Sequence, residues 1–245
     1  MEEANKSGAD TSGMVKGDAK TGADEIYIDA IGLLQIKMTD RVLELGCGFG
    51  RSLPVLCKIA LEVAAVDISK EMIETAREFC QEKNISFHVS QSEDLQFSDE
   101  SFGAVVCFAA FDAMYQAEAL IEMNRVSRTG ARVLITGKND DYHDDDSVAL
   151  EAEIGARAKG HPNYFTDVDK LIKNLDKLGF EIETQKYYLR RGDFAKQMAK
   201  LERPRMFYEY LLVLKKVKTW SGCECEGLVI SSKFSKTYAR CKHPA

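Results

Sequence analysis

The sequence predicts an α/β protein, a mostly parallel sheet with helices on both faces. Three observations carry that expectation. Short apolar runs at 41–46, 62–67, 85–90, 104–108 and 132–136 have the length of buried strands. The segments between them read mostly as helices, not as tight hairpin turns. The first run ends in a glycine turn, Gly46-Cys47-Gly48-Phe49-Gly50, and the second ends in a carboxylate, Asp67.

Each element follows in order. Residues 1–22 are rich in Gly, Ser, Lys, Asp and Ala without apolar periodicity, and a mobile leader is expected there. From Asp24 a short amphipathic helix is expected, with Ile26, Ile28, Ile31, Leu33 and Leu34 available for packing. The first strand, about 41–46, leads into a helix near 51–60. The second spans about 62–67, and Ser69 suits the N-cap of a helix over 70–83. Ile85 to Ser90 alternates with period two as a third strand, and Ala104 to Phe108 is the fourth. A helix over roughly 113–128 offers Ala117, Leu120, Ile121, Met123 and Val126, and Thr129-Gly130 is expected to end it. Arg132 to Thr136 is the fifth strand. The polar, acidic segment 138–162 breaks the rhythm. A helix over about 166–178, stopped by Gly179, precedes two more strands, Phe180 to Leu189 and Met206 to Leu214. One domain over 23–216 is therefore expected, with 138–162 inserted and 217–245 as a cysteine-containing extension.

Composition narrows the class. The 245 residues are 45% hydrophobic, enough for one sizeable core. No apolar run approaches the ~20 residues that span a bilayer, and Met1 to Lys6 is polar with no apolar signal core. A cytoplasmic protein without a membrane partner is the expectation. The net charge of −6 argues against a general nucleic-acid surface. Of the seven cysteines, Cys47, Cys57, Cys80 and Cys107 fall in strand and helix blocks and read as small buried hydrophobes; a disulfide framework is not expected.

The glycine turn and Asp67 describe a nucleoside-binding site. Glycine at alternate positions closes the turn and lets a ligand approach bare backbone. A carboxylate ending the next strand can accept two hydrogen bonds from a ribose diol. The dinucleotide pattern is G-x-G-x-x-G, whereas the glycines here run G-x-G-x-G with Arg51 in the sixth place. Glu44, two residues before Gly46, would repel a dinucleotide phosphate and attract an amino group. With Glu44-Leu45-Gly46-Cys47-Gly48-Phe49-Gly50 in view, the chain resembles the class I S-adenosylmethionine-dependent methyltransferase family, and the ubiquinone- and menaquinone-biosynthesis-like group within it.

That resemblance implies a Rossmann-like seven-stranded sheet of order 3-2-1-4-5-7-6, ending in an antiparallel pair, and S-adenosyl-L-methionine as cofactor. It implies that Gly46, Cys47, Gly48 and Gly50 face the methionine part, Glu44 the ammonium and Asp67 the ribose, with Ile68 and Met72 about the adenine. The run from Ser90 to Phe97 is similar to the family's adenine block, with Gln91 where an Asp is usual and Ser92 and Glu93 as further contacts; Gly103 replaces an Asp usual before the fourth strand. Phe108, Ala109 and Ala110 end that strand, where methyl group and acceptor should meet. Phe108-Ala109-Ala110-Phe111 lacks the Asn/Asp-Pro-Pro-Tyr/Phe motif of enzymes that modify nucleic-acid amines or amide nitrogens, so an O or N atom of a small-molecule acceptor is expected.

Several features remain open on sequence alone. Methyl transfer requires a base only when the acceptor must lose a proton; candidates are His143, His161, Tyr142, Tyr164 and Asp112. The acidic run from Asn139 to Asp146 reads as a solvated loop, as a lid that attracts a cationic substrate, or as a metal site with Asp112. Cys223, Cys225, Cys241 and His243 have the composition of a zinc site without its usual spacing. A nicotinamide-dependent oxidoreductase and a non-catalytic cofactor-binding scaffold are the alternatives.

Overall fold

The computed structural model describes residues 23–158 and 165–222. In chain order the elements are α1 (Ala23–Gly32), β1 (Arg41–Leu45), α2 (Leu53–Ile59), β2 (Glu62–Asp67), α3 (Lys70–Phe79), β3 (Ile85–Val89), β4 (Phe102–Cys107), α4 (Gln116–Val126), β5 (Ser127–Lys138), α5 (Ser147–Ala158), α6 (Val168–Leu175), β6 (Phe180–Tyr188) and β7 (Glu209–Lys216), with a 3₁₀ turn at Phe111–Ala113. The seven strands form one sheet of order β3-β2-β1-β4-β5-β7-β6. Strands β1 to β5 pair in parallel, and β7 runs antiparallel to both β5 and β6.

The central strands are continuous apolar runs because both sheet faces are covered. Val42, Leu43 and Leu45 are fully buried, as are Val105, Val106 and Cys107. Strand residues alternate between two cores. Leu43, Val105 and Ile135 pack with α4 and α6, while Val42, Val106 and Leu134 pack with α1, α2 and α3. The resulting Rossmann-like fold leaves the carboxyl ends of β1, β2 and β4 side by side, where open α/β sheets bind ligands. Among the described residues no helix is long and apolar enough to cross a membrane.

The structure corrects two local expectations. The fourth helix ends at Val126, not at Thr129-Gly130, and β5 begins at Ser127. Gly130 (φ +83°) lies inside that strand, beside a register shift between Phe102 and Ala104. Gly103 is required there, since a Cβ would overlap the paired Arg128 and Asp40 side chains. The acidic segment is also not a plain solvated loop. It contains α5, and Asp146 caps that helix by accepting from the Ala149 N–H at 3.1 Å. Asp145 pairs with Arg190, so acidic residues of the run tie this segment to the β6–β7 connection. The segments 1–22 and 223–245 lie outside the described residues.

Candidate cofactor and acceptor site

The glycine turn is built as its sequence requires. Gly46, Gly48 and Gly50 all have positive φ, at +66°, +52° and +91°. They differ in surroundings. A Cβ on Gly46 would overlap that of Ala110 at the end of β4, and one on Gly50 would press on Leu53 and Ala76. A Cβ on Gly48 would meet nothing within 4 Å. Gly48 therefore faces open space, and the other two hold packed elements together.

Asp67 stands at the tip of β2 and fixes this turn. Its carboxylate accepts from the Gly48 N–H and the Ser69 N–H, both at 2.9 Å. Each oxygen retains capacity for another donor. The Cys47 N–H donates to Val66 O at 3.0 Å, so the turn is tied to β2 twice. Ser69 caps α3 by accepting from the Met72 N–H, as its position predicts.

Glu44 lies beneath the turn at 2% exposure. Its Oε1 accepts a short hydrogen bond from Ser52 Oγ, while Oε2 is buried with no partner. Burial pushes this carboxyl up to about 7, with the Ser52 bond pulling it down and Asp67 adding to the rise. Burial, Glu44 and Asp67 together also push the Cys47 thiol up, so Cys47 stays a neutral filler.

The remaining sequence candidates are placed as follows. Ile68 is exposed, Met72 half-buried, Gln91 exposed and Ser92 buried. Glu93 accepts from the Tyr115 N–H at 2.7 Å and bridges the β3–β4 and β4–α4 connections. Phe108 is buried at the end of β4, edge-on to Tyr27 of α1 at 4.9 Å. Helix α1 thus approaches the carboxyl end of β4.

Of the groups that hold that end, sequence reasoning named Ala109 and Asp112 and missed Thr136, Lys138 and Glu209. Ala109 has φ +49°, and its N–H donates to Thr136 Oγ1 at 2.7 Å. Asp112, in the 3₁₀ turn, accepts from the Lys138 N–H at 2.9 Å and lies 3.3 Å from Lys138 Nζ. Burial pushes Asp112 up, and Lys138 opposes the shift. Glu209, which opens β7 opposite Lys138, is pushed up to about 7, mainly by burial. Beyond them Tyr142, Phe165 and Tyr208 form a closed aromatic cluster under α5. His143 is half-buried just before α5. His161, Tyr164, Cys223, Cys225, Cys241 and His243 lie outside the described residues. Among the described residues no group of three or more His, Cys, Asp or Glu is placed to hold a metal ion.

Residues 43–135 match the family described as a methyltransferase domain. Over those residues the chain is similar to class I S-adenosylmethionine-dependent methyltransferases. An uncharacterized methyltransferase, YcgJ of Bacillus subtilis, is 35% identical over 115 residues, 45% of this chain and 44% of that protein. A demethylmenaquinone methyltransferase of Clavibacter sepedonicus is 32% identical over 98 residues, 39% of this chain and 40% of that protein. The chain thus matches less than half the length of these curated relatives. An S-adenosylmethionine-dependent methyltransferase structure from Mesorhizobium loti shares the fold, with TM-score 0.63 and 17% identity over 79% of this chain and 98% of that one.

S-adenosylmethionine is the cofactor that this similarity indicates. The residues present fit it. Glu44 Oε2 lacks a donor that an ammonium would supply, Gly48 leaves backbone open to a ligand, and Asp67 retains acceptor capacity beside it.

Proposed function

We propose that this protein transfers a methyl group from S-adenosylmethionine to an O or N atom of a small-molecule acceptor. The observation that carries the reading is the orphaned Glu44 oxygen beneath an open Gly48 and beside Asp67. In this reading Glu44 holds the amino group, Asp67 the ribose hydroxyls, and the Gly46–Gly50 backbone lies along the amino-acid part. Ile68 and Met72 line one side of the adenine, and Gln91, Ser92 and Glu93 its edge. Bound there, the cofactor supplies a methyl group already activated on a sulfonium.

The chain's own residues then position the acceptor and exclude water. Phe108, Ala109 and Ala110 present an apolar strand end. Thr136 fixes the backbone of Ala109, and the Asp112–Lys138 pair fixes the 3₁₀ turn against β5. Asp112 has Lys138 on both oxygens and acts as a positioning residue. His143, half-buried just before α5, remains the candidate for a base where the acceptor must lose a proton, whereas Tyr142 is closed in its aromatic cluster.

Calorimetric titration with S-adenosylhomocysteine, with NAD as comparison, tests the reading. Micromolar binding of the former alone is expected, followed by turnover in a screen of hydroxyl and amine acceptors. Binding of NAD alone would overturn it.

A further inference from the structure

The connection between β6 and β7 reverses the charge of the chain. The whole sequence has a net charge of −6, yet residues 190–205 hold six Lys or Arg side chains against Asp193 and Glu202. Three of the six are committed: Arg190 pairs with Asp145, Arg203 pairs with Asp169, and Arg191 donates to the Tyr208 hydroxyl. Lys196, Lys200 and Arg205 are exposed and make no ion pair among the described residues.

Apolar side chains stand exposed among these cations. Leu201, at 69%, is the most exposed large apolar side chain among the described residues, and Met198 is 58% exposed. They do not project from a loose loop. The Met198 N–H donates to Asp193 O at 3.0 Å, and Lys200 exchanges both backbone bonds with Tyr187 on the free edge of β6. Phe194 packs edge-on to Tyr188 at 5.1 Å, and Phe194 and Ala199 anchor the connection on the core that α1 covers. Within this bonded frame Met198 and Leu201 face solvent, next in sequence to the unpaired lysines.

An anionic bilayer surface suits this pattern. Exposed aliphatic groups gain by entering the boundary between headgroups and acyl chains, and the Lys and Arg around them gain from anionic headgroups while their stems lie along apolar surface. A nucleic-acid backbone would use the cations together with aromatic rings, and would gain nothing from Met198 and Leu201. A second copy joined symmetrically here would set cation against cation. No spanning helix is needed for a surface contact. Strand β6 is antiparallel to β7, and β7 to β5, so β6 ends on the same edge of the sheet as β1, β2 and β4. Helix α5 is tied to the connection by the Asp145–Arg190 pair and by Asp146 accepting from the Arg191 N–H, and it carries exposed Leu150 one turn beyond that bond.

We propose that residues 196–205 form a docking surface for anionic lipid bilayers, with Met198 and Leu201 entering the interface and Lys196, Lys200 and Arg205 meeting the headgroups. Docked in this way, the protein turns the carboxyl edge of its sheet toward the lipid. The surface stands apart from Glu44, the glycine turn and Asp67, and does not rest on the cofactor placement.

The test is co-sedimentation of the full chain with phosphatidylcholine vesicles, with and without about one third phosphatidylglycerol. Binding to the anionic vesicles is expected, with little to phosphatidylcholine alone, and it should fall several-fold between about 0.1 and 0.5 M salt. Met198→Asp with Leu201→Asp should weaken it about tenfold, and so should Lys196→Glu with Lys200→Glu. All four side chains are exposed, so both variants keep the fold. Met38→Asp with Leu61→Asp is the control. These two are equally exposed, at 65% and 58%, but precede β1 and β2 on the opposite edge of the sheet, and binding should be unchanged. Failure of the unsubstituted chain to bind, or equal weakening by the control pair, would overturn the proposal. Full binding by Met198→Asp with Leu201→Asp would overturn it as well, since the contact would then lie elsewhere. Binding of a DNA duplex of about twenty base pairs in place of the vesicles, lost with Lys196→Glu and Lys200→Glu, would assign the patch to nucleic acid instead.

Discussion

Glu44→Gln should stabilise the protein and weaken its cofactor binding at the same time. The carboxyl is held at about 7 against an ordinary 4.5, chiefly by burial. At ~1.4 kcal/mol per pH unit, its ionisation inside the fold costs on the order of 3 kcal/mol. The sign follows from proton uptake. The folded state binds this proton more tightly than the unfolded chain, so the contribution of Glu44 to stability is highest below about pH 4.5, falls as the pH rises, and levels off above about 7. Glutamine keeps an acceptor for Ser52 Oγ and removes the charge. It also buries an amide N–H₂ in place of Oε2, which costs about 1 kcal/mol. The net gain should be about 2 kcal/mol at pH 8 and vanish or reverse at pH 5. Urea unfolding of both proteins at the two pH values measures it. Glu209 and Asp112 titrate alike in both proteins, so the difference isolates Glu44. A gain of the same size at pH 5 and pH 8 would refute the reasoning, because it would mean that Glu44 ionises in the ordinary carboxylate range. The same substitution should weaken S-adenosylhomocysteine about tenfold at pH 8, since a neutral amide replaces the ammonium's partner.

Other substitutions separate folding from binding. Gly46→Ala should lower stability by about 2–3 kcal/mol, because the new Cβ overlaps Ala110 in a backbone of positive φ; thermal unfolding reads this directly. Gly48→Ala has open space around it and should cost only the strain of φ +52°, about 1–2 kcal/mol, while reducing cofactor affinity more than Gly46→Ala does per unit of stability lost. Asp67→Ala should cost about 1.5–3 kcal/mol of S-adenosylhomocysteine binding in calorimetry, and unchanged affinity would remove Asp67 from the site. Asp112→Asn should leave stability within about 1 kcal/mol in urea unfolding, because the burial that pushes the Asp112 carboxyl up offsets its pairing with a partly exposed Lys138.

The central sheet was legible because its strands are buried on both faces and therefore almost wholly apolar, Glu44 of β1 being the exception. Val42 to Leu45 and Val63 to Val66 could be read without any knowledge of their neighbours. The β4–β5 junction was not, because glycine has two uses. Gly130 matches a helix-ending signal, but its positive φ serves the start of β5, where Ser127 pairs with Phe102. Helix α5 was hidden for a different reason. Val148, Leu150 and Ile154 are exposed and Ala149 is buried, so its apolar residues do not mark one inward face. The site divides along the same line. Glu44, the glycines and Asp67 sit within one short motif and the strand after it. Ser52, Thr136 and Lys138 act through partners on other elements; the Thr136 bond to Ala109 spans 27 residues. Such pairs carry no local pattern, and only the sheet order brings them together.

The distribution of charge about the carboxyl edge bears on how this domain would spend its interactions. Glu44 and Asp67 gather at the ends of β1 and β2, while the end of β4 carries Phe108, Ala109 and Ala110. Burial first, and then their field, push the Cys47 thiol up. Placed beside a sulfonium, that field would stabilise a charge that methyl transfer removes, and would raise the barrier. Directed at an ammonium and a ribose, groups that do not change during the reaction, it strengthens ground state and transition state alike. Under the proposed function the carboxylates would set affinity, and rate would be left to the alignment held at Ala109 by Thr136 and at the 3₁₀ turn by Asp112 and Lys138. On this division, loss of Glu44 or Asp67 raises KM for the cofactor with kcat near its original value, whereas disturbing the Thr136 or Asp112 contacts lowers kcat.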